Sequence, residues 1–138
     1  MGVEVAPVPN LSGLGTAVSA TYLATEDKDT GEELDYRPEY TGFGEIRYRH
    51  DFGGGAFAVT PSVSTELVGR QQYTAGPVTQ PFKAWLGAYA LMNARLAFKV
   101  YYAELYVAAK NLTNQEYQTI YDYPMPGRTF RGGVSVSF

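Results

Sequence analysis

The residue types that carry most catalytic and metal chemistry are scarce and scattered in this 138-residue chain. His50 is the only histidine and cysteine is absent, so neither a zinc centre nor a histidine-assisted nucleophile has the groups it needs. Glu45, Glu66 and Glu104 are carboxylates, but they lie on three separate stretches and no spacing marks them as an acid–base pair. We therefore predict that the chain is not an enzyme and has no metal site and no cofactor.

Residues 26–33 form a charged segment, with Asp27 and Asp29 two residues apart and Gly31 two residues further on. This spacing matches part of a calcium-binding loop, in which alternate carboxylates and a glycine surround the ion. The third acidic ligand and the distal glutamate are not in register, so a solvated hairpin tip is the simpler interpretation.

The composition argues against several classes of function. Eleven basic residues against 14 acidic ones give a net charge of −3, which argues against nucleic-acid binding. Tyrosine is abundant, with 12 residues beside 7 phenylalanines. No run approaches the roughly 18 apolar residues of a transmembrane helix, but a membrane-spanning strand needs only about 9–11 residues and an apolar side chain at every second position.

The sharpest period-two pattern covers residues 40–51, where Glu45 and Arg47 fall on one face and Ile46 on the other. Successive side chains of a strand point to opposite sides, so the pattern predicts a strand with one charged and one apolar face. Similar alternation predicts further strands within residues 14–26, 57–70, 85–98, 105–110 and 129–138. Pro61 cannot donate a hydrogen bond to a neighbouring strand, so it predicts a bulge or a local break.

The connections between these strands alternate in length. Long ones are predicted near residues 27–37, 71–84 and 112–128, and short ones near residues 52–55 and 99–102. Antiparallel membrane barrels show this alternation, with long loops outside the cell and short turns on the periplasmic side. The predicted fold is therefore all-β: an antiparallel transmembrane β-barrel segment of about six strands, preceded by a fragment of another strand near residues 2–5.

The end of the chain alternates as well. Phe130, Gly132, Val134, Val136 and Phe138 share one apolar face, and the residues between them are mostly polar. A soluble protein seldom ends on an exposed apolar strand, because such an edge invites aggregation. In a membrane barrel the last strand pairs with the first and its outer face meets lipid, so this ending is typical of a barrel.

Three further elements precede this strand: Asn111-Leu112, then Tyr117, then the run Tyr123-Pro-Met-Pro-Gly-Arg-Thr-Phe130. With the terminal phenylalanine, their order and spacing resemble the carboxy-terminal end of TonB-dependent outer-membrane receptors. In that family an N-L-x-N/D-x-x-Y segment ends the penultimate strand, a G-Y-P-x-P-G-R loop follows, and the last strand ends on phenylalanine. Asp122 stands where the glycine of that loop is usual.

The resemblance implies that residues 1–138 are the carboxy-terminal part of a 22-stranded plugged barrel in the bacterial outer membrane. The plug domain and the signal peptide are expected to lie outside this sequence. Family membership would make the chain part of an active transporter and receptor for a scarce ligand, such as a siderophore or cobalamin. The implied partners are outer-membrane lipid, the rest of the barrel with its plug, and the barrel-assembly machinery. The TonB complex is a further implied partner, expected to bind the amino-terminal part of the receptor outside this sequence.

Three groups of site residues are expected from the faces and the resemblance. The charged side chains expected to face the lumen are Glu45, Arg47, Arg49, Arg70, Arg95 and Lys110. The loop residues expected at the outer mouth, where they could contact ligand, are Asp27, Asp29, Gln71, Gln72, Tyr73, Tyr121 and Tyr123. The residues of the expected assembly signal are Phe130, Val134, Val136 and Phe138. For the loop group, hairpin tips that are simply wetted by solvent are the plainer interpretation.

Two other architectures share the alternation. One is a free-standing eight-stranded outer-membrane barrel with a structural or adhesion role, although six strands fall short of eight. The other is a soluble β-sandwich that acts as a binding module. The terminal phenylalanine, the many aromatic residues and the family-like tail favour the receptor barrel over both.

Overall fold

The computed structural model describes residues 2–5, 13–23, 34–77 and 79–137. Within these residues the regular structure is almost entirely β, and no helix is long and apolar enough to cross a membrane. The strands are β1 (Gly2–Val5), β2 (Leu14–Tyr22), β3 (Tyr40–Tyr48), β4 (His50–Phe52), β5 (Phe57–Val68), β6 (Gln71–Ala75), β7 (Phe82–Leu86), β8 (Tyr89–Val100), β9 (Ala103–Lys110), β10 (Gln118–Ile120), β11 (Tyr123–Pro124) and β12 (Thr129–Val136).

The long strands pair in chain order into one antiparallel sheet, β1-β2-β3-β5-β8-β9-β12, and β4 continues beside β5 where β3 ends. Each long strand therefore lies beside its neighbour in sequence, as in an up-and-down barrel. Within the described residues the sheet is open, with β1 and β12 at its edges. The predicted all-β antiparallel barrel segment is confirmed. The other strands form two small hairpins rather than a second packed sheet, so the sandwich alternative is wrong.

The register places apolar side chains together on one face of the sheet. Ile46 of β3 lies opposite Val63 of β5, and Leu105 of β9 lies opposite Val134 of β12. The exposed fractions of Ile46 and Val134 are 61% and 66%, so no protein layer covers this face in the described part of the chain. Such a face is stable in a lipid bilayer and unfavourable in water, because each large apolar side chain left in water forgoes roughly 1.5–3 kcal/mol of transfer free energy.

The opposite face is polar and more crowded. Ala58 and Ala97 lie on it and are only 2% and 4% exposed. Arg47, Arg95 and Arg131 lie on the same face, one on each of β3, β8 and β12. Even small side chains are buried on this face, whereas large ones stay exposed on the apolar face. The difference indicates that the sheet curves toward its polar side.

Pro61 breaks the ladder without shifting it. The register of β5 against β3 ends at Arg47 opposite Ser62, and the register of β5 against β4 resumes at His50 opposite Val59. The two sections are in phase, which places Pro61 opposite Tyr48, the last residue of β3. The local break is confirmed, and the bulge is not seen, because a missing N–H removes one hydrogen bond but adds no residue to the strand.

Two of the expected long loops contain paired strands. The expected loop at residues 71–84 is instead largely the β6–β7 hairpin, with Gln71 opposite Leu86 and Ala75 opposite Phe82. The expected loop at residues 112–128 contains the short β10–β11 hairpin. The long connections predicted at these two places are present and join long strands at the same end of the sheet, and the pairing within them was not predicted.

The short connections carry a chain of aromatic rings on the apolar face. Tyr48, His50, Phe52, Phe57 and Tyr101 follow one another with ring centroids 5.2–6.3 Å apart. Aromatic side chains are enriched where a barrel meets the membrane–water interface, so this row of rings resembles the aromatic girdle of a membrane barrel. His50, the single histidine of the sequence, lies in this row between Tyr48 and Phe52.

The two-faced sheet predicts a labelling pattern in the assembled protein. Single substitutions Ile46→Cys and Tyr48→Cys should be labelled by a probe confined to the bilayer, and Arg47→Cys and Arg49→Cys by a small aqueous thiol reagent. A slip of one residue would turn both arginines outward, at about 2–4 kcal/mol for each arginine near the midplane. The reverse pattern, or no labelling from the bilayer, would rule out a lipid-facing sheet.

Candidate functional site

The charged side chains of the polar face form a wall along the sheet. Arg47 lies between Gly15 and Ser62, and Arg95 lies between Ser62 and Ala108, which in turn lies opposite Arg131. A small residue thus separates each arginine from the next, which prevents like charges from lying directly opposite one another. We call Arg47, Arg95 and Arg131 the arginine row.

Gly15 gives the first arginine of this row its position. A Cβ atom added to Gly15 would lie 2.7 Å from Nε of Arg47, so the guanidinium lies across β2 where no side chain stands. Toward the short-turn end the same face has a cavity of about 470 Å³ between β2 and β8, with Arg49, Arg95 and Glu104 in its lining. The wall is therefore grooved rather than flat.

Two ion pairs lie on this wall. Nη2 of Arg49 is 2.6 Å from Oδ1 of Asp51, and Nη2 of Arg95 is 2.8 Å from Oε1 of Glu104. The Arg95 guanidinium also lies 4.7 Å from the ring centre of Tyr106. All four charged side chains are more than 40% exposed, so solvent screens both pairs, and they orient the guanidinium groups more than they stabilise the fold.

Of the remaining expected wall residues, one lies within the wall and two lie at the long-loop end. Glu45 lies opposite Ala17 and Ser64, within the polar face. Lys110 ends β9 opposite Thr129. Arg70 lies beyond the end of β5 and belongs to the loop region rather than to the wall. The assignment of all these residues to a barrel lumen stays a prediction.

The expected ligand contacts are not all at the surface. Asp27 and Asp29 lie outside the described residues. Gln71, Gln72 and Tyr73 lie in β6 and are 5%, 9% and 7% exposed, whereas Tyr121 and Tyr123 are 57% and 66% exposed. The first three therefore form the base of the loop region in this structure, and the last two lie at its surface.

A neighbouring segment covers β6. The backbone N–H of Tyr36 donates to the carbonyl of Gln72 at 2.8 Å, and Pro38 bridges to Gln71. Asp35 accepts a hydrogen bond from the backbone N–H of Thr74 at 2.9 Å. Burial acts to raise the pKa of Asp35, but hydrogen bonds from Thr74 and Lys83 and the charge of Lys83 outweigh it, so the pKa lies below its ordinary value. The carboxylate thus stays ionised and holds residues 35–39 against the hairpin.

Tyrosine rings join the three loop segments. Tyr73 stacks on Tyr36 at 6.1 Å and on Tyr121 at 4.8 Å, which links residues 34–39, β6 and the β10–β11 turn. Tyr89 packs on Tyr117 at 4.6 Å beside them. Burial raises the pKa of the Tyr73 phenol, and the neighbouring phenols of Tyr121 and Tyr36 raise it further, so this ring is neutral at ordinary pH. The structure therefore brings Tyr73 and Tyr121 together, as a common ligand surface requires.

The motif near Asn111 fastens the last long loop to the sheet. Asn111 is 3% exposed, its backbone N–H donates to Oδ1 of Asn93 at 3.1 Å, and its side chain exchanges two hydrogen bonds with the backbone of Gln115. Asn93 in turn donates to Oε1 of Glu66 at 3.0 Å. A continuous hydrogen-bonded path thus runs from the polar face of β5 to the base of the loop.

The second half of the motif closes that loop. Oδ1 of Asn114 accepts the backbone N–H of Arg128 at 2.8 Å, and a Cβ atom on Gly127 would lie only 2.6 Å from that oxygen. Asp122 has φ +60°, a left-handed conformation that glycine adopts freely and that aspartate tolerates better than most residues. The departure from the family's loop pattern at this position is therefore compatible with the turn that the loop makes.

Comparison with known proteins now bears on this geometry. A family model described as "TonB dependent receptor-like, beta-barrel" matches residues 1–112. This chain belongs to the TonB-dependent receptor family. No match is found among curated proteins. The matched region ends at Leu112, where the carboxy-terminal motif begins, so two successive parts of the chain point to the same family. The family is one of outer-membrane receptors and transporters, and the predicted resemblance is confirmed.

Sequence reasoning missed several residues of this receptor segment. Trp85 and Glu116 line a cavity beside Tyr73, but the sequence offered no reason to select them, and Tyr117 of the same cavity was selected only as part of the carboxy-terminal motif. Gly76 and the proline after it, between two stretches rich in aromatic residues, could have indicated the β6–β7 hairpin, because such pairs mark turns. The contact between Tyr117 and Tyr89 had no local signal, since 28 residues separate the two rings.

The close approach at Gly127 predicts a local opening when a methyl group is added. Gly127→Ala should push the Asn114 side chain away and break its hydrogen bond to the Arg128 backbone, at a cost of about 0.5–1.5 kcal/mol. In the assembled receptor, tryptic cleavage after Arg128 should then speed up by roughly fivefold, since cleavage follows the population of the open loop.

The matched control is Gly87→Ala, because a Cβ atom there meets nothing within 4 Å. That variant should be cleaved at the unmodified rate. Equal rates for all three proteins would show that Asn114 does not hold the loop.

Proposed function

We propose that this chain forms part of the wall and outer mouth of an active uptake receptor for a scarce ligand, such as a siderophore or cobalamin. The observation that carries the proposal is the two-faced open sheet in a chain of the TonB-dependent receptor family. Its apolar face suits lipid, and its polar face suits a water-filled or plugged interior. The chain would contribute six long strands and the short β1 to a larger barrel, which we propose to be of the 22-stranded kind.

The arginine row gives the wall a role within such a barrel. Arg47, Arg95 and Arg131 would face a plug domain supplied by another part of the receptor, and acidic groups there would complement them. That plug would connect to the TonB complex, which transmits energy from the inner membrane. The chain itself would then supply the static side of the transport path.

The loop end would supply ligand contacts. Tyr73 and Tyr121 stack at the centre of the loop region, and Tyr123 lies exposed on the same hairpin. Aromatic side chains offer large, rigid contact area at low cost in conformational entropy, which suits a binding surface. We propose that this end of the sheet meets the ligand outside the cell, and that Asp27 and Asp29 lie on the adjoining loop.

A growth experiment tests the uptake role. Removal of the protein should impair growth in one medium among several that each limit a single scarce nutrient, and deletion of TonB should give the same defect. The double variant Tyr73→Ala with Tyr121→Ala should raise the half-saturating nutrient concentration by up to about tenfold, because a lost aromatic pair is worth about 0.5–1.5 kcal/mol.

The matched control is Tyr102→Ala, which removes an exposed ring from the short-turn end of the sheet. Its half-saturating concentration should stay unchanged, and an excess of the nutrient should restore growth in every strain. If loss of the protein leaves growth unchanged in every nutrient-limited medium, the protein is not an uptake receptor.

The last strand would also direct assembly. Phe130, Val134 and Val136 alternate along the apolar side of β12, and Phe138, which lies outside the described residues, would continue the series. We expect deletion of Phe138 to lower the amount of receptor in the outer membrane severalfold, without changing its synthesis, because the barrel-assembly machinery would read this end. Ser137→Ala is the control, and quantitative immunoblots of membrane fractions are the measurement. Equal amounts would remove that role from Phe138.

A further inference from the structure

We propose that the cavity between the β6–β7 hairpin and residues 116–121 is a subsite for an organic cation, in particular a quaternary or primary ammonium group carried by the ligand. We call it the aromatic cavity. The inference rests on the proposed uptake function and deepens it, since it names the chemical class of one part of the ligand.

The walls of the aromatic cavity are unusually rich in rings. It has a volume of about 330 Å³, and its lining includes Tyr73, Trp85, Tyr89, Tyr117 and Tyr121. The pairs Tyr73–Tyr121 and Tyr89–Tyr117, with centroids 4.8 and 4.6 Å apart, stand on its sides. The face of an aromatic ring is negative and attracts a cation, and rings grouped around one space form the cages that bind choline or methylated lysine.

The charge of the lining has the matching sign. Of the ten residues that line the aromatic cavity, Glu116 is the only charged one, and no lysine or arginine is among them. A carboxylate beside aromatic faces adds Coulomb attraction for a cation and repels an anion. An anionic metal complex would meet the negative charge of Glu116 here, so the site selects against it.

Arg70, directly before the β6–β7 hairpin, and Lys83, within it, are both paired with carboxylates. The Arg70 guanidinium lies 4.5 Å from the ring centre of Trp85, and its Nε is 2.7 Å from Oε1 of Glu39. Nζ of Lys83 is 3.3 Å from Oδ1 of Asp35. Both hairpin cations are therefore paired with carboxylates of residues 35–39, which leaves the negative charge of Glu116 to dominate the cavity.

The size of the aromatic cavity fits a head group rather than a whole ligand. Its volume lies at the lower end of the roughly 300–1,000 Å³ of small-molecule sites. A second cavity of about 520 Å³ adjoins it and shares Glu116 and Tyr117 in its wall. Asn114 and Gln115 line that second space, so the polar remainder of a ligand has hydrogen-bonding partners there.

Trp85 serves as a local reporter, because it lines the aromatic cavity and any fluorescence change that Trp85→Phe removes is its own. The receptor, extracted from outer membranes in detergent, would be titrated with choline chloride at constant ionic strength while tryptophan fluorescence is recorded. The comparison ligand is 3,3-dimethylbutan-1-ol, which has the shape of choline without its charge. Choline should give a saturable change and bind at least tenfold tighter than the neutral alcohol, and Trp85→Phe should abolish the signal.

Two substitutions test whether Glu116 contributes to the attraction for the cation. Glu116→Gln should weaken choline binding by about three- to tenfold, whereas Asp51→Asn, at the opposite end of the sheet, should leave it unchanged. Equal affinity for choline and the neutral alcohol, or tighter binding of the aromatic anion benzoate, would overturn the cation subsite. The comparison of the three probes on the unmodified receptor decides the matter even if a variant fails to assemble. Growth on the limiting nutrient is measured separately, so failure of the subsite would leave the uptake proposal standing.

Discussion

Every backbone N–H and C=O of a strand in a bilayer must find its partner on the next strand, because hydrocarbon offers none. That constraint fixes the register of this sheet, and the register in turn assigns each side chain to one of two faces. Ile46, Val63 and Val134 are exposed on one face because Arg47, Arg95 and Arg131 occupy the other. A shift of the register by one residue would turn the apolar side chains to the polar face and the arginines to the apolar face.

The two ends of the sheet differ in how they are held together. At the short-turn end, β-strand pairing continues to within a few residues of each turn, and the rings from Tyr48 to Tyr101 form a continuous row. At the long-loop end, pairing gives way to side-chain contacts between segments distant in sequence, among them Tyr73 with Tyr121 and Thr74 with Asp35. Binding surfaces are commonly built in this way, with variable loops carried on a regular scaffold.

The sequence predicted the strands and faces well because period two is a local signal that repeats over many residues. It also led to the family, through the spacing of Asn111, Tyr117 and Gly127. It could not predict that Gln71 and Gln72 are buried, because residues 36–39 cover them and no local pattern encodes that contact. The aromatic cavity was out of reach for the same reason, since its rings come from three separate segments.

Pro61 has a consequence for the height at which the protein lies in the membrane. It faces the end of β3 and cannot donate to Tyr48, so the carbonyl there must turn to water or to polar lipid groups. In the middle of the hydrocarbon an unmet carbonyl would cost several kcal/mol, and near the head groups it costs little. A shift of the receptor toward the cell exterior, by even a few strand residues of about 3.3 Å each, would draw this gap into the hydrocarbon. In a barrel whose short turns lie on the periplasmic side, the proline would therefore oppose vertical displacement in that direction, independently of any side chain on the surface.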